Sequence, residues 1–298
     1  MKTTVSIHSI DEIDALKQCG VSGLMVGLKG FQSGCDGVFS LDDLYTLKQK
    51  CDENELDLMV LINRLYFDEE IEALNEAVKE VLNLGCRILY CDPAVYLAAE
   101  QNEKVSQLVY DASTLMCNSL DVQLMQDLGL DSVVLSREIT LDEICEISKK
   151  VSGKTIVQVY GYQVMAHSKR HFLRNYMKEI NKNLNLEDRR DLTLIETTRT
   201  GRMPILEEKD GCRIYTDYVL CALKELALMK EAGVDEVMLD GLFIERNEYV
   251  SAVQTFNEVL NGKDAQEAYL KLKEINNAYG EGYMYTKTNL VKVEGERG

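Results

Sequence analysis

Four stretches of this chain repeat one grammar. In LKQCGVSGLMVG (16–27), VLNLGCRILYCD (81–92), MQDLGLDSVVLS (125–136) and MKEAGVDEVMLD (229–240), a helix-like end meets a glycine, then two or three residues, then a short apolar run. Gly20, Gly85, Gly129 and Gly233 stand where a left-handed residue stops a helix. Each unit therefore reads as helix, glycine stop, strand. Further strand candidates lie between the units, TTVSI (3–7), LDLMVLIN (56–63), SQLVYDAS (106–113) and TIVQVYG (155–161), which brings the strands to eight. Short, almost wholly apolar strands alternating with amphipathic helices imply a parallel sheet covered by helices. Eight of them favour closure into a (β/α)8 TIM-type barrel, α/β in class. An open doubly wound sheet is the weaker alternative, because no Gly-x-Gly-x-x-Gly follows the first strand.

A chain of 298 residues fits one such domain. The expectation is a single barrel over 1–289 and a flexible tail over 290–298. Helix starts agree with this reading: Ser9 with Glu12, and Thr140 with Glu143, have the spacing of capping boxes. The repeat breaks after the seventh strand, where 162–217 forms a long polar insertion with a β-like LTLIETT and an EEKDG turn, before a predicted helix YVLCALKELALMKEAG. Long connections in a compact barrel are usually functional, and loops that follow strands lie on the barrel's working face.

Composition narrows the function classes. Fifty Asp and Glu against 33 Lys and Arg give a formal charge of -17, which argues against autonomous, nonspecific nucleic-acid binding. No stretch reaches the roughly 18 unbroken apolar residues of a membrane span, and the start lacks a signal-peptide pattern, so a soluble, cytoplasmic protein is expected. Nine cysteines are scattered without a CxxC pair, which suits reduced, mostly buried thiols.

Against that acidic background, 167–202 carries nine cations and five acids. The bland reading is a solvated helix with ion pairs. The other is a site for an anionic ligand or RNA phosphate on the barrel mouth. His167 and His171 would share one face if 166–176 is helical, but the Glu of a His-Glu-x-x-His zinc helix is missing, and Lys169 and Arg170 between them would repel a divalent ion. Ser168 has no nucleophile-elbow context. Arg137 and Glu138 fall just past one strand end and Asp240 closes the last strand, the positions where barrels keep working groups.

Taken together, VVLSREITLDEI, VQVYGYQVMAHSKRHFLRNY, AGVDEVMLDG and the closing GEGYMYTKT resemble the collagenase-like peptidase family, peptidase U32, over nearly the whole chain. The likeness is greatest to its short members, which accompany a longer paralogue. The resemblance implies two kinds of activity: collagenase-like peptidase action of unknown catalytic type, and oxygen-independent hydroxylation of ubiquinone precursors, ribosomal RNA or the wobble uridine of tRNA, with prephenate as hydroxyl source. It also implies a 4Fe-4S cluster on four cysteines. Here Val164, His171 and Arg189 stand at three of those positions and only Cys221 matches, so no cofactor is expected. The family's Glu-Gly-Arg after the last strand is Asp240, Gly241, Leu242, and the histidine before Gly161 is Tyr160.

The resulting expectation is a cluster-free subunit that works with a longer cluster-bearing paralogue on tRNA, forming wobble 5-hydroxyuridine. Arg137, Ser168, Lys169, Arg170, Arg199 and Arg202 would bind the carboxylates of prephenate or another small acid, or RNA phosphate. Glu138, His167 and Asp240 are the candidate acid–base groups. A peptidase and a non-catalytic scaffold are the alternatives.

Overall fold

A computed structural model of the chain describes residues 1–186, 189–197 and 201–287. Eight parallel strands close into a barrel: β1 (Lys2–Ser6), β2 (Gly23–Leu28), β4 (Asp57–Ile62), β5 (Arg87–Tyr90), β6 (Leu108–Tyr110), β7 (Ser132–Val134), β8 (Lys154–Gly161) and β14 (Glu236–Leu239). Each pairs in parallel with the next, and β14 closes the ring by pairing with both β8 and β1. A two-residue strand, β3 (Val38–Phe39), flanks the end of β2.

Strand alternation divides the core. Along β4, Met59 and Leu61 point inward to join Met25, Leu89, Val109, Val134, Ile156 and Met238 inside the barrel. Leu58, Val60 and Ile62 point outward under the helices. The helices are α1 (Ile13–Gln18), α2 (Leu41–Glu53), α3 (Ile71–Asn83), α4 (Pro93–Gln101), α5 (Ser119–Asp127), α6 (Leu141–Lys150), α7 (Phe172–Glu179), α8 (Leu226–Ala232), α9 (Arg246–Leu260) and α10 (Ala265–Ile275). All but α7, which belongs to the insertion, lie in the barrel's sequence units.

The glycine stops behave as read: Gly20, Gly85, Gly129 and Gly233 take positive φ just past α1, α3, α5 and α8. The Thr140–Glu143 capping box forms at the start of α6. The Ser9–Glu12 box does not. Ser9 makes no side-chain cap, and the Glu12 carboxylate instead accepts from the His8 backbone N–H at 2.8 Å and from Arg246 at 2.6 Å, a stronger charged partner.

The floor of the barrel is a polar plug. Arg87 makes a two-pronged pair with Glu236 at 2.8 and 2.9 Å, and Thr4 donates to the same carboxylate at 2.5 Å. Arg87 and Glu236 are the first residues of β5 and β14, away from the mouth, which marks this pair as structural.

The insertion folds as its own small sheet over the mouth. Its strands β9 (Val164–Ser168), β10 (Thr193–Leu194), β11 (Met203–Glu208) and β12 (Gly211–Tyr215) are antiparallel in the order β10-β11-β12-β9. The EEKDG turn joins β11 to β12. The chain returns through β13 (Val219–Cys221), which pairs antiparallel with the far end of β8, and β15 (Tyr279–Gly280) pairs with β13. Two expectations are corrected here. The region 166–176 is not one helix, because Val164–Ser168 pair with Cys212–Tyr215, so His167 lies on a strand and His171 just ahead of α7. The helix expected from 218 starts only at Leu226, because Val219–Cys221 are taken up as a strand on β8. The tail over 290–298 lies outside the described residues.

Candidate active site at the barrel mouth

The mouth holds a cavity of about 410 Å³ between the C-terminal strand ends and the insertion sheet. Asp111 follows β6, Arg137 follows β7, Gln158 lies on β8 and Asp240 follows β14; β12 adds Arg213 and Tyr215 from above, and β9 adds His167. A volume in this range suits a small organic molecule.

Arg137 is fixed on three sides. Its guanidinium donates to both Asp111 oxygens at 2.8 and 2.7 Å, and its Nε donates to Gln158 Oε1 at 2.6 Å. Burial works to raise the Asp111 carboxyl, but the Arg137 charge wins and holds it below the usual range. Arg213 is buried as well, yet less committed. Its Nε donates to Ser33 Oγ at 2.8 Å and its Nη2 to the Asn63 carbonyl at 3.3 Å, while Nη1 has no protein acceptor among the described residues. The Ser33 loop is itself held to the insertion by Glu208, which accepts from Ser33 Oγ at 3.0 Å and the Gly34 N–H at 2.7 Å.

Gly34 is required where it stands. Its φ is +64°, and a Cβ there would come within 2.3 Å of the Tyr215 hydroxyl. That hydroxyl lines the cavity, is buried, and has no hydrogen-bond partner among the described residues.

Asp240 carries the most altered acid at the mouth. Burial, reinforced by Asp36, pushes its carboxyl up to about 6, against the lowering effect of the Leu242 N–H it accepts from at 3.0 Å. His167 is shifted the other way: desolvation and the nearby Arg213 charge lower it, so the imidazole is neutral at pH 7. Cys91, also in the lining, is pushed up to about 11 by burial and is a thiol at neutral pH.

Of the residues picked from sequence, the cavity brings together Arg137, His167 and Asp240. Glu138 is exposed and outside the lining, with its backbone N–H bonded to Ser136 Oγ. Ser168 Oγ accepts the Arg170 N–H at 3.2 Å. Lys169 reaches back to the Leu65 carbonyl at 2.8 Å with its ammonium 3.4 Å from the Phe67 ring centroid, so its charge caps the loop after β4. Arg170 and Arg202 are exposed and do not line the cavity, and Arg199 lies outside the described residues. Asp111, Gln158, Arg213 and Tyr215 were missed. Asp111 obeys the strand-end rule that picked out Arg137, whereas Arg213 has no local signal, since its place depends on how the insertion folds back.

The four positions matched to cluster cysteines are chemically mixed. Val164 carries no donor atom, Arg189 is paired with Asp191 at 2.5 and 2.6 Å, and His171 sits 3.6 Å from Glu207. Cys221 is fully buried, its thiol pushed up to about 12 by desolvation.

Comparison with known proteins gives a consistent picture. The tRNA hydroxylation protein P2 of Bacillus subtilis is 24% identical over 261 residues, covering 86% of this chain and 84% of that protein. The tRNA hydroxylation protein P1 of the same organism is 20% identical, covering 85% of this chain but 61% of its own length. The tRNA hydroxylation protein P of Escherichia coli is 25% identical over half of this chain. A solved U32 peptidase structure superposes with a TM-score of 0.53 at 12% identity, over 80% of this chain and 92% of its own, a likeness of fold. The model of peptidase family U32 matches residues 8–292, and with the closed barrel and its mouth in place, the chain belongs to that family.

Proposed function

We propose that this chain is a subunit of a tRNA hydroxylation system, one that forms wobble 5-hydroxyuridine in the cytosol beside a longer, cluster-bearing U32 paralogue. Its mouth binds prephenate or another small carboxylic acid. The observation that carries the reading is the grouping of Arg137, Arg213 and Asp240, whose carboxyl burial raises to about 6, around one cavity of about 410 Å³. The names of the relatives supply the RNA.

Arg213 is the cation that receives a carboxylate, because Nη1 is uncommitted and a guanidinium donates in a fixed fork. The Arg137 charge is balanced by Asp111, so Arg137 shapes the wall and orients Gln158. Asp240, in its protonated form, donates to a second acidic group of the ligand or returns a proton to it. A ligand anion would favour that proton, so binding and protonation are linked. Val164, His171, Arg189 and Cys221 do not make the thiolate set that a 4Fe-4S cluster requires, so the cluster chemistry is assigned to the paralogue.

A peptidase reading finds less support at the mouth. Cys91 is held as a thiol and Ser168 lies off the cavity. The test is deletion of the gene and mass spectrometry of tRNA nucleosides. Loss of wobble 5-hydroxyuridine is the expected result, and an unchanged level in a strain without a redundant pathway would overturn the proposal.

A further inference from the structure

Beside the mouth runs a second, larger hollow of about 1210 Å³, between α7 with the chain that follows it, the β11–β12 turn and the loop after β2. It exceeds the roughly 300–1,000 Å³ typical of small-molecule pockets. Seven cations line it, Lys29, Arg64, Arg174, Lys178, Lys182, Arg190 and Lys209, against three acids among the described residues. The acids are engaged or sunk: Glu207 accepts the Leu173 and Arg174 N–H groups at the start of α7, Glu208 holds the Ser33 loop, and Asp210 is buried. Arg64 and Arg190 are also spent, on Glu70 and Asp36. Lys29, Lys178, Lys182 and Lys209 are exposed and make no ion pair among the described residues, although the molecule as a whole carries -17.

Four unpaired ammonium groups from three separate segments of an acidic chain form a local positive field. The rest of the wall mixes polar side chains, Gln32, Asn183 and Asn185 among them, with apolar ones such as Val38, Met177, Leu184 and Leu206. The hollow also abuts the mouth: Gln32, Arg64 and Asp210 line it, while Gly34, Asn63 and Arg213, two, one and three residues away, line the cavity. A chain with evenly spaced charges and small apolar faces, lying here, would come within reach of Arg213.

We propose that this groove binds the phosphate backbone of single-stranded RNA through Lys29, Lys178, Lys182 and Lys209, and so delivers one nucleotide to the adjoining cavity. The inference rests on the tRNA reading for the identity of the RNA, and adds to it the surface that holds the strand. Lysines suit this task because they act as point charges on a flexible backbone and need no fixed geometry.

The test uses the full chain and two labelled RNAs, an anticodon stem-loop and an oligouridine, with fluorescence anisotropy across a salt series. Lys178→Glu with Lys182→Glu is expected to weaken both by at least about tenfold. The milder pair Lys178→Ala with Lys182→Ala should lower the slope of log affinity against log salt by about 0.7 for each phosphate that is no longer neutralised. Lys149→Glu with Lys150→Glu, on the barrel flank, should leave both unchanged. Equal affinity in groove variants and wild type, equal weakening by the groove and flank variants, no RNA binding by the wild type with or without its paralogue, or polyglutamate bound as tightly as RNA would each overturn the proposal. The nucleoside assay separates the two readings. Hydroxyuridine lost on gene deletion with RNA binding indifferent to the groove lysines sinks the groove alone; hydroxyuridine retained, with binding lost in the groove variants, sinks the hydroxylation reading alone.

Discussion

Asp240 sits at the end of β14 near Asp36 and Arg137, and its carboxyl, pushed up to about 6 by burial, holds a proton longer than a free aspartate with a value of about 3.9. The folded state therefore binds more protons than the unfolded state between those values. The stability that this preference contributes is fully present below about 3.9 and is lost as pH rises through about 6. Thermal melts of wild type and Asp240→Asn should then diverge, with the wild type losing ground to the variant from pH 4 to 7 on the order of the window set by those two values; a constant difference across that range would refute the assignment. Carboxylate binding at the mouth should likewise tighten as pH falls through about 6 in the wild type and lose that dependence in the variant, as read by calorimetry with prephenate. Arg213→Met should abolish that binding outright. Arg137→Met should act differently, by leaving Asp111 buried without its partner, at a cost of about 3–5 kcal/mol of stability measured by urea unfolding.

At the scale of elements, Gly161 decides how β8 leaves the barrel. Its φ is +109°, and a Cβ would stand 2.4 Å from the Asp240 carbonyl oxygen, a backbone atom that cannot swing aside. Gly161→Ala should cost more than about 2 kcal/mol and disturb Asp240, while Gly30→Ala, at positive φ but in open space, should cost only the backbone strain. Elements also show what could be read in advance. The glycine-stopped units were legible because a helix end and the strand after it are set by neighbours within a dozen residues. The alternation inside and outside β4 follows from the same local rule. The insertion was not legible in this way. Val164–Ser168 become a strand only because Cys212–Tyr215, some fifty residues on, offer a pairing edge, and Val219–Cys221 do so because β8 runs past the end of β7. Arg213 and Tyr215 were hidden for the same reason, whereas Arg137 and Asp240 sit at strand ends that periodicity marks.

For the whole molecule, the barrel and the lid divide the labour. The Arg87–Glu236–Thr4 plug and the inner apolar layer close the floor, and the described helices lack any segment long and apolar enough to cross a membrane. The lid both leaves and rejoins the barrel on β8: β9 follows that strand directly, and β13 returns to pair with it at Gly161↔Leu220 and Tyr160↔Cys221. The two ends of the excursion are thus neighbours in an antiparallel ladder, and a loop of 2–5 residues would turn β8 and β13 into an ordinary hairpin. Replacing 162–217 with a four-residue Gly-Asn-Gly-Ser link should leave a cooperatively melting barrel with no affinity for a carboxylate ligand, checked by circular dichroism and calorimetry; collapse to an unfolded chain would show that the lid is part of the folding unit. A body whose recognition surface enters and leaves through one strand, and is otherwise tied down by side chains such as Glu208 and Arg213, behaves like a socket with an exchangeable fitting. Lineages of such barrels could trade the molecule they grip by rewriting some fifty residues, while the frame that carries them stays as it is.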